Sequence, residues 1–244
     1  MKHVAAALAV VALALAAPAV ASSPITVFAA SSLTNVFPKI DPNPRYSFGG
    51  SNMLAAQIEQ GAPADVFASA NMLLPRHLYN EHLCSKPVNF TRNRLVVIVP
   101  SSNPAHLRTV YGLTRRGVKI VVGDKGVPVG DYTTVVLRKL HILHKVMRNV
   151  VSKETDVRDV LAKVALGEAD AGFVYRTDGR VDAGKVKNMR IPRSGQPNVR
   201  YGIGVVSRTQ NRHAAKAFIK RVLAPVAQKK LVAAGFLPLK HSHR

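Results

Sequence analysis

Short apolar runs alternate with stretches of mixed polarity along most of this chain. Ile25–Ala29, Leu95–Val99, Lys119–Val122, Ala171–Tyr175 and Ile203–Val206 are compact and rich in β-branched or aromatic residues, which predicts buried strands. Arg45–Phe48 and Asp65–Ala68 read as two more. Between them lie amphipathic segments. Val157, Val160, Leu161 and Val164 recur at helical spacing behind Asp156, and Met53, Leu54 and Ile58 mark a helix that ends at Gly61. Two helical stretches, near His213–Leu223 and Val226–Ala233, close the chain. Strands alternating with helices predict an α/β fold with mainly parallel sheets.

The punctuation between elements is informative. Ala30-Ser31-Ser32-Leu33-Thr34-Asn35 follows the first strand with small and hydroxylic residues suited to opening a helix. Pro38 and then Asp41-Pro42-Asn43-Pro44 are expected to stop that helix early. Gly49-Gly50-Ser51-Asn52 reads as a turn into the second helix, and Gly123–Thr134 as a loop running into another. Each of these junctions places small or hydroxylic residues at a helix N-terminus, where unpaired N–H groups and the positive end of the macrodipole favour an anion. In open α/β sheets such junctions lie at the carboxyl ends of strands, where ligands bind. Serine is also simply a good cap, so a single junction decides nothing.

The N-terminus belongs to a different pattern. Met1-Lys2-His3 is a short basic segment, Val4 to Ala17 contains only Ala, Val and Leu, and Ala19-Val20-Ala21 supplies small residues for cleavage. Residues 1–21 are therefore expected to be a signal peptide, which implies a periplasmic destination. A membrane anchor is the competing reading, but the apolar run is short for a bilayer. The lone Cys84 excludes an internal disulfide framework and reads as a small buried apolar residue.

Charge changes the picture less than its size suggests. Lys and Arg total 35 against 13 Asp and Glu, a formal net charge of +22. That excess suggests nucleic acid or an anionic surface. The basic residues are scattered singly or in pairs, as at Arg115-Arg116 and Lys229-Lys230, and Trp is absent, so a stacking platform for single strands is not evident. Steering of an anionic ligand and adaptation to an acidic exterior both remain compatible with the sequence. His141 and His144 stand three apart on an expected helix, without a neighbouring Cys or carboxylate to complete a metal site, and read as a solvated basic face. Asp124 and Asp131 read as turn and cap residues rather than an acid–base pair.

Four segments carry a resemblance. ITVFAASSLTN at 25–35, QIEQGAPADVFA at 57–68, GDKGVPVGDY at 123–132 and GFVYRTD at 172–178 resemble, in the same order, the periplasmic molybdate-binding proteins of ABC transporters. The resemblance implies a two-lobed periplasmic binding protein of type II, with the ligand held between two α/β lobes. It implies no enzyme and no cofactor: the ligand is molybdate or tungstate, held as an oxyanion, and no separate metal site is expected. Ser32, Ser51, Val129, Val157 and Tyr175 match the family's ligand positions, Val129 and Val157 through backbone N–H groups.

The implied partners are the oxyanion and a membrane permease, for a monomer that binds no nucleic acid. Lobe one is expected at 22–99 plus 205–244, and lobe two at 100–204. The segment between Ser32 and Ser51 is several residues shorter than the family pattern. A binder of another tetrahedral anion such as sulfate, and a secreted α/β hydrolase using Ser32, are the alternatives, although no G-x-S-x-G elbow is present.

Overall fold

The computed structural model describes residues 24–239. The expected signal peptide and the basic tail His241–Arg244 lie outside the described residues.

Among the described residues ten strands form two sheets. The first contains β1 (Thr26–Ala30), β2 (Arg45–Gly49), β3 (Val66–Ser69) and β4 (Val88–Asn93). The second contains β5 (Leu95–Pro100), β6 (Ile120–Gly123), β7 (Val150–Glu154), β8 (Ala171–Tyr175) and β9 (Val186–Arg190). The last strand, β10 (Val199–Val205), returns to the first sheet. The orders are β2-β1-β3-β10-β4 and β7-β6-β8-β5-β9, so one topology is used twice.

In each sheet the first three strands pair in parallel, and one strand runs against the rest: β10 in the first sheet and β5 in the second. The sheets are therefore mixed, with four of the five strands in each running the same way, as the expected mainly parallel α/β fold requires. The reversed strands are those that enter from the other lobe.

This pairing also corrects the expected lobe boundaries. Positions 99/100 and 204/205 each cut through a strand, because all of Leu95–Pro100 bonds into the second sheet and all of Val199–Val205 into the first. The chain crosses at Arg94 and returns between Arg190 and Val199. A long apolar strand gives no sequence signal for which sheet it will join. The two crossings are tied together by Gln196, whose Oε1 accepts from Leu95 N at 3.2 Å while its Nε2 donates to Leu95 O at 2.8 Å. One side chain thus replaces a backbone partner for Leu95.

Helices cover the sheets. In the first lobe these are α1 (Phe37–Ile40), α2 (Ser51–Glu59) and α3 (Leu73–Asn80). In the second they are α4 (Pro128–Lys139), α5 (Leu143–Met147), α6 (Val157–Ala165) and α7 (Asp178–Val181). Finally α8 (Arg212–Leu223) and α9 (Pro225–Ala233) bring the chain back to the first lobe. Pro38 does not stop the first helical segment as expected. It occupies the first turn of α1, where its missing N–H has no intrahelical role, and the stop comes at Asp41.

Burial explains the elements. Val27, Ala29, Val66, Ala68, Val97, Ile98, Val121 and Val174 are inaccessible to solvent in the centres of their sheets. Each large apolar side chain so buried contributes about 1.5–3 kcal/mol. Phe37, Phe90 and Phe218 pack edge to face or tilted at 5.7–5.8 Å, closing α1 and α8 over the first sheet. An ion pair between Arg221 and the buried Asp41 fixes α8 on the same side. Cys84 is buried as expected, and that burial pushes its thiol up to about 12.

His141 and His144 do not share a helix. His141 follows α4 with a positive φ of 57°, a left-handed residue that ends the helix, while His144 lies in α5.

A candidate oxyanion site between the lobes

The turns and helix N-termini that follow β1, β2, β6 and β7 meet the last residue of β8, and a small cavity of about 10 Å³ lies at the meeting point. Its wall includes Ser32, Ser51, Val129, Val157 and Tyr175 together. The first two come from one lobe and the other three from the second. The structure therefore brings all five residues named from sequence to one place.

Local sequence explains each position. The 3₁₀ turn Ser31–Leu33 begins as soon as β1 ends and buries Ser32. Gly50 caps α2 in an extended conformation and makes Ser51 the first helical residue. Pro128 opens α4, with Val129 behind it. Asp156 caps α6, its Oδ1 accepting from Arg158 N at 2.6 Å and Asp159 N at 3.3 Å, which leaves the N–H of Val157 without an intrahelical or capping partner. Tyr175 is the last residue of β8 and only 1 % exposed.

The hydrogen bonds set the polarity of the cavity. Asn93 Nδ2 donates to Thr177 Oγ1 at 3.0 Å and to Tyr201 Oη at 3.4 Å. With its oxygen occupied as an acceptor, Tyr201 has its proton free for Ser32 Oγ, 2.9 Å away. Ser32 is then left with its own proton for the cavity. Ser51 is arranged in the same way: its Oγ accepts from Ala70 N at 3.1 Å, so its proton is free. The hydroxyl of Tyr175 is buried and has no partner in the structure.

Three hydroxyls and the N–H groups at two helix starts thus present hydrogens to one small space. Burial, reinforced by Tyr201 and Tyr132, pushes the Tyr175 hydroxyl well above the usual phenol range, which keeps it a donor. Tyr132 and Tyr201 hold the ring edge to face at 6.5 and 5.7 Å.

Among the described residues no Lys or Arg lines the cavity, and Asp156 is its one carboxylate. Chemically the site suits an acceptor-rich anion. Charge-assisted hydrogen bonds from neutral donors are stronger than neutral pairs, and two helix dipoles add to them.

The lobes touch around the cavity. A Cβ on Gly50 would stand 2.3 Å from the carbonyl oxygen of Thr155, so the backbones of the two lobes are in direct contact. Arg158 bridges the same gap: its Nη2 donates to Asn35 Oδ1 at 2.6 Å, and its Nε lies 3.1 Å from Oδ1 of the fully buried Asp178. The latter contact is close but poorly aligned, leaving both atoms short of a good hydrogen bond. Burial outweighs Arg158 and pushes the Asp178 carboxyl up to about 6.

Asp124 and Asp131 lie outside the cavity wall and serve their loop, Asp124 Oδ1 accepting from Lys125 N at 2.8 Å and Asp131 Oδ1 from Gly126 N at 3.0 Å. Tyr201, Asn93, Thr177, Asp178, Arg158 and Asn35 escaped sequence reasoning. They act through contacts between segments far apart in the chain.

Comparison with known proteins fits this geometry. Residues 25–237 match the model of the bacterial extracellular solute-binding proteins. The chain belongs to that family. Among its relatives, the Molybdate-binding protein ModA of Mycobacterium tuberculosis is 37% identical over 232 residues, covering 91% of this chain and 87% of that protein. A solved substrate-binding domain of a putative molybdenum ABC transporter from Clostridium difficile is similar at 31% identity and TM-score 0.64, covering 89% of this chain and 99% of that one. The periplasmic molybdate-binding protein of Azotobacter vinelandii shares the fold at TM-score 0.77 and 24% identity, covering 88% of this solute-binding chain and 100% of its own.

Proposed function

We propose that this solute-binding protein captures molybdate or tungstate in the periplasm and delivers it to the membrane permease of an ABC importer. The observation that carries the proposal is the convergence of donors without a cation: Ser32 and Ser51 with their acceptor sides already engaged, Tyr175 with no partner, and the N–H groups of Val129 and Val157.

A site of this kind discriminates by protonation state. Hydrogen phosphate carries an O–H that needs an acceptor, whereas the three hydroxyls and two backbone N–H groups at the cavity act as donors; Asp156, the one carboxylate among the described lining residues, has its Oδ1 bound to the α6 N-terminus. A buried O–H without a partner costs about 1–3 kcal/mol. Molybdate and tungstate carry no proton at neutral pH. Sulfate is also fully ionised, so its rejection rests on the size of the closed cavity. Names of relatives agree with this choice, since those at 37% and 31% identity are described as molybdate-binding and as part of a molybdenum transporter. Binding rather than turnover is the expected activity. The signal peptide, the permease and a monomeric state belong to the same proposal.

The direct test is thermal unfolding of the mature protein alone and with molybdate, tungstate, sulfate or phosphate. A ligand at a hundred times its dissociation constant adds about 2.7 kcal/mol of stability. Stabilisation by molybdate and tungstate alone is the expected result. Stabilisation by sulfate alone would keep the mode of binding and change the ligand.

A further inference from the structure

Away from the cleft, six arginines line one open groove of about 960 Å³: Arg94, Arg108, Arg176, Arg180, Arg190 and Arg193. Among the described residues no Asp or Glu lines it. The fold assembles this cluster from sequence positions that show no basic run. Arg94 precedes β5, Arg176 follows β8 and Arg190 ends β9, and these three strands are neighbours in the second sheet. Leu95 pairs with Tyr175, and Val96 with Arg190, so the three arginines come to one end of adjacent strands. Arg180 from α7, Arg193 from the crossing segment and Arg108 complete the wall.

These guanidinium groups lack carboxylate partners. The ion pairs among the described residues use Glu59, Asp178, Glu154 and Asp41, and none involves a groove arginine. Five of the six side chains are exposed and Arg176 is half-buried, donating from Nε to Gly235 O at 3.0 Å. Burial, then the charges of Arg180 and Arg94, pulls Arg176 below the usual guanidinium range. Like charges gathered without counter-charge are unfavourable in the empty groove, and an anion that neutralises several of them at once relieves that repulsion.

We propose that this groove is a second anion site, which takes a compact soluble polyanion carrying several phosphate groups. Arginine forks match phosphate oxygens in bidentate fashion, and the volume is that of a small-molecule pocket. The concave shape favours such a molecule over a flat lipid surface. The cleft ligand, a single tetrahedral ion among neutral donors, would find nothing similar here.

Calorimetric titration with inorganic tripolyphosphate, with and without molybdate present, tests the proposal. One tripolyphosphate per chain is expected, at an affinity that molybdate does not change. Arg108→Gln combined with Arg190→Gln should weaken it about tenfold, since each removes a charge-assisted contact. Lys216→Gln combined with Lys220→Gln removes the same charge from the exposed face of α8 and should leave binding within about twofold. Equal losses in the two double variants would mean diffuse attraction and overturn the site. Competition between tripolyphosphate and molybdate would overturn it too, as would binding to vesicles of anionic phospholipid without binding of tripolyphosphate.

Discussion

Tyr201 places its hydroxyl 2.9 Å from that of Ser32, although 169 positions separate the two residues. Tyr201 is fully buried, and its ring packs edge to face against Phe90, Phe236 and Tyr175, so it has little freedom to turn away. With Tyr201 as the donor of that bond, Ser32 turns its own proton toward the cavity. Tyr201→Phe should therefore weaken oxyanion binding by about three- to tenfold, and Ser32→Ala by about ten- to a hundredfold. The double variant should fall short of the product, because Tyr201 acts through Ser32. Calorimetry on the four proteins measures this, and strictly multiplicative losses would sink the relay.

Tyr175→Phe should separate stability from binding. The hydroxyl is buried without a partner, a situation that costs the unliganded protein about 1–3 kcal/mol. Removing it is expected to leave the melting temperature of the empty protein unchanged or raised, while molybdate affinity drops about tenfold or more. A variant that melts lower without ligand and binds normally would exclude the hydroxyl from the site.

Gly50 is extended, with φ −60° and ψ 129°, a conformation open to any residue. Its constraint is across the cleft, where a methyl group would meet the Thr155 carbonyl. Gly50→Ala should fold with ordinary stability yet resist closure, weakening the ligand by about tenfold or more. Small-angle scattering with saturating molybdate should show a more open particle than wild type. Equal compaction of the two proteins would contradict the contact.

Asp178 gives a pH signature. Its carboxyl titrates near 6 when folded, against 3.8 for an ordinary Asp, because burial outweighs the attraction of Arg158. The folded state then holds a proton that the unfolded chain has released. The stability this contributes is complete below about pH 4 and is lost as pH rises through 6, at no more than about 1.4 kcal/mol per pH unit. Asp178→Asn should gain on wild type in urea midpoint between pH 4.5 and 7. A difference that stays flat across that range would count against a raised carboxyl.

What could be read from the sequence depended on locality. The strands flagged by continuous apolar runs were found within a few residues, because burial on both faces requires such runs. β4, β7 and β9 were not foreseen: VNFTRN, VVSKE and VKNMR mix exposed polar positions with buried ones at sheet edges or beside them. α3 was missed as well. Its LLPRHLYN sequence has Pro75 inside the helical span and only Pro75 and Leu78 buried.

The five residues carried over from the family resemblance meet in one cavity, and four of them sit at helix starts that small or capping residues announced. Tyr175 was legible only through that resemblance, since its last-strand position reads equally as core. The supporting network from Asn93 through Tyr201 to Ser32 had no local trace at all, because each contact spans more than 80 positions.

Gln196 grips Leu95 at both its N–H and its carbonyl, where the two crossing segments pass side by side. Clamped at a common point, the two crossing segments cannot slide past each other without giving up both hydrogen bonds.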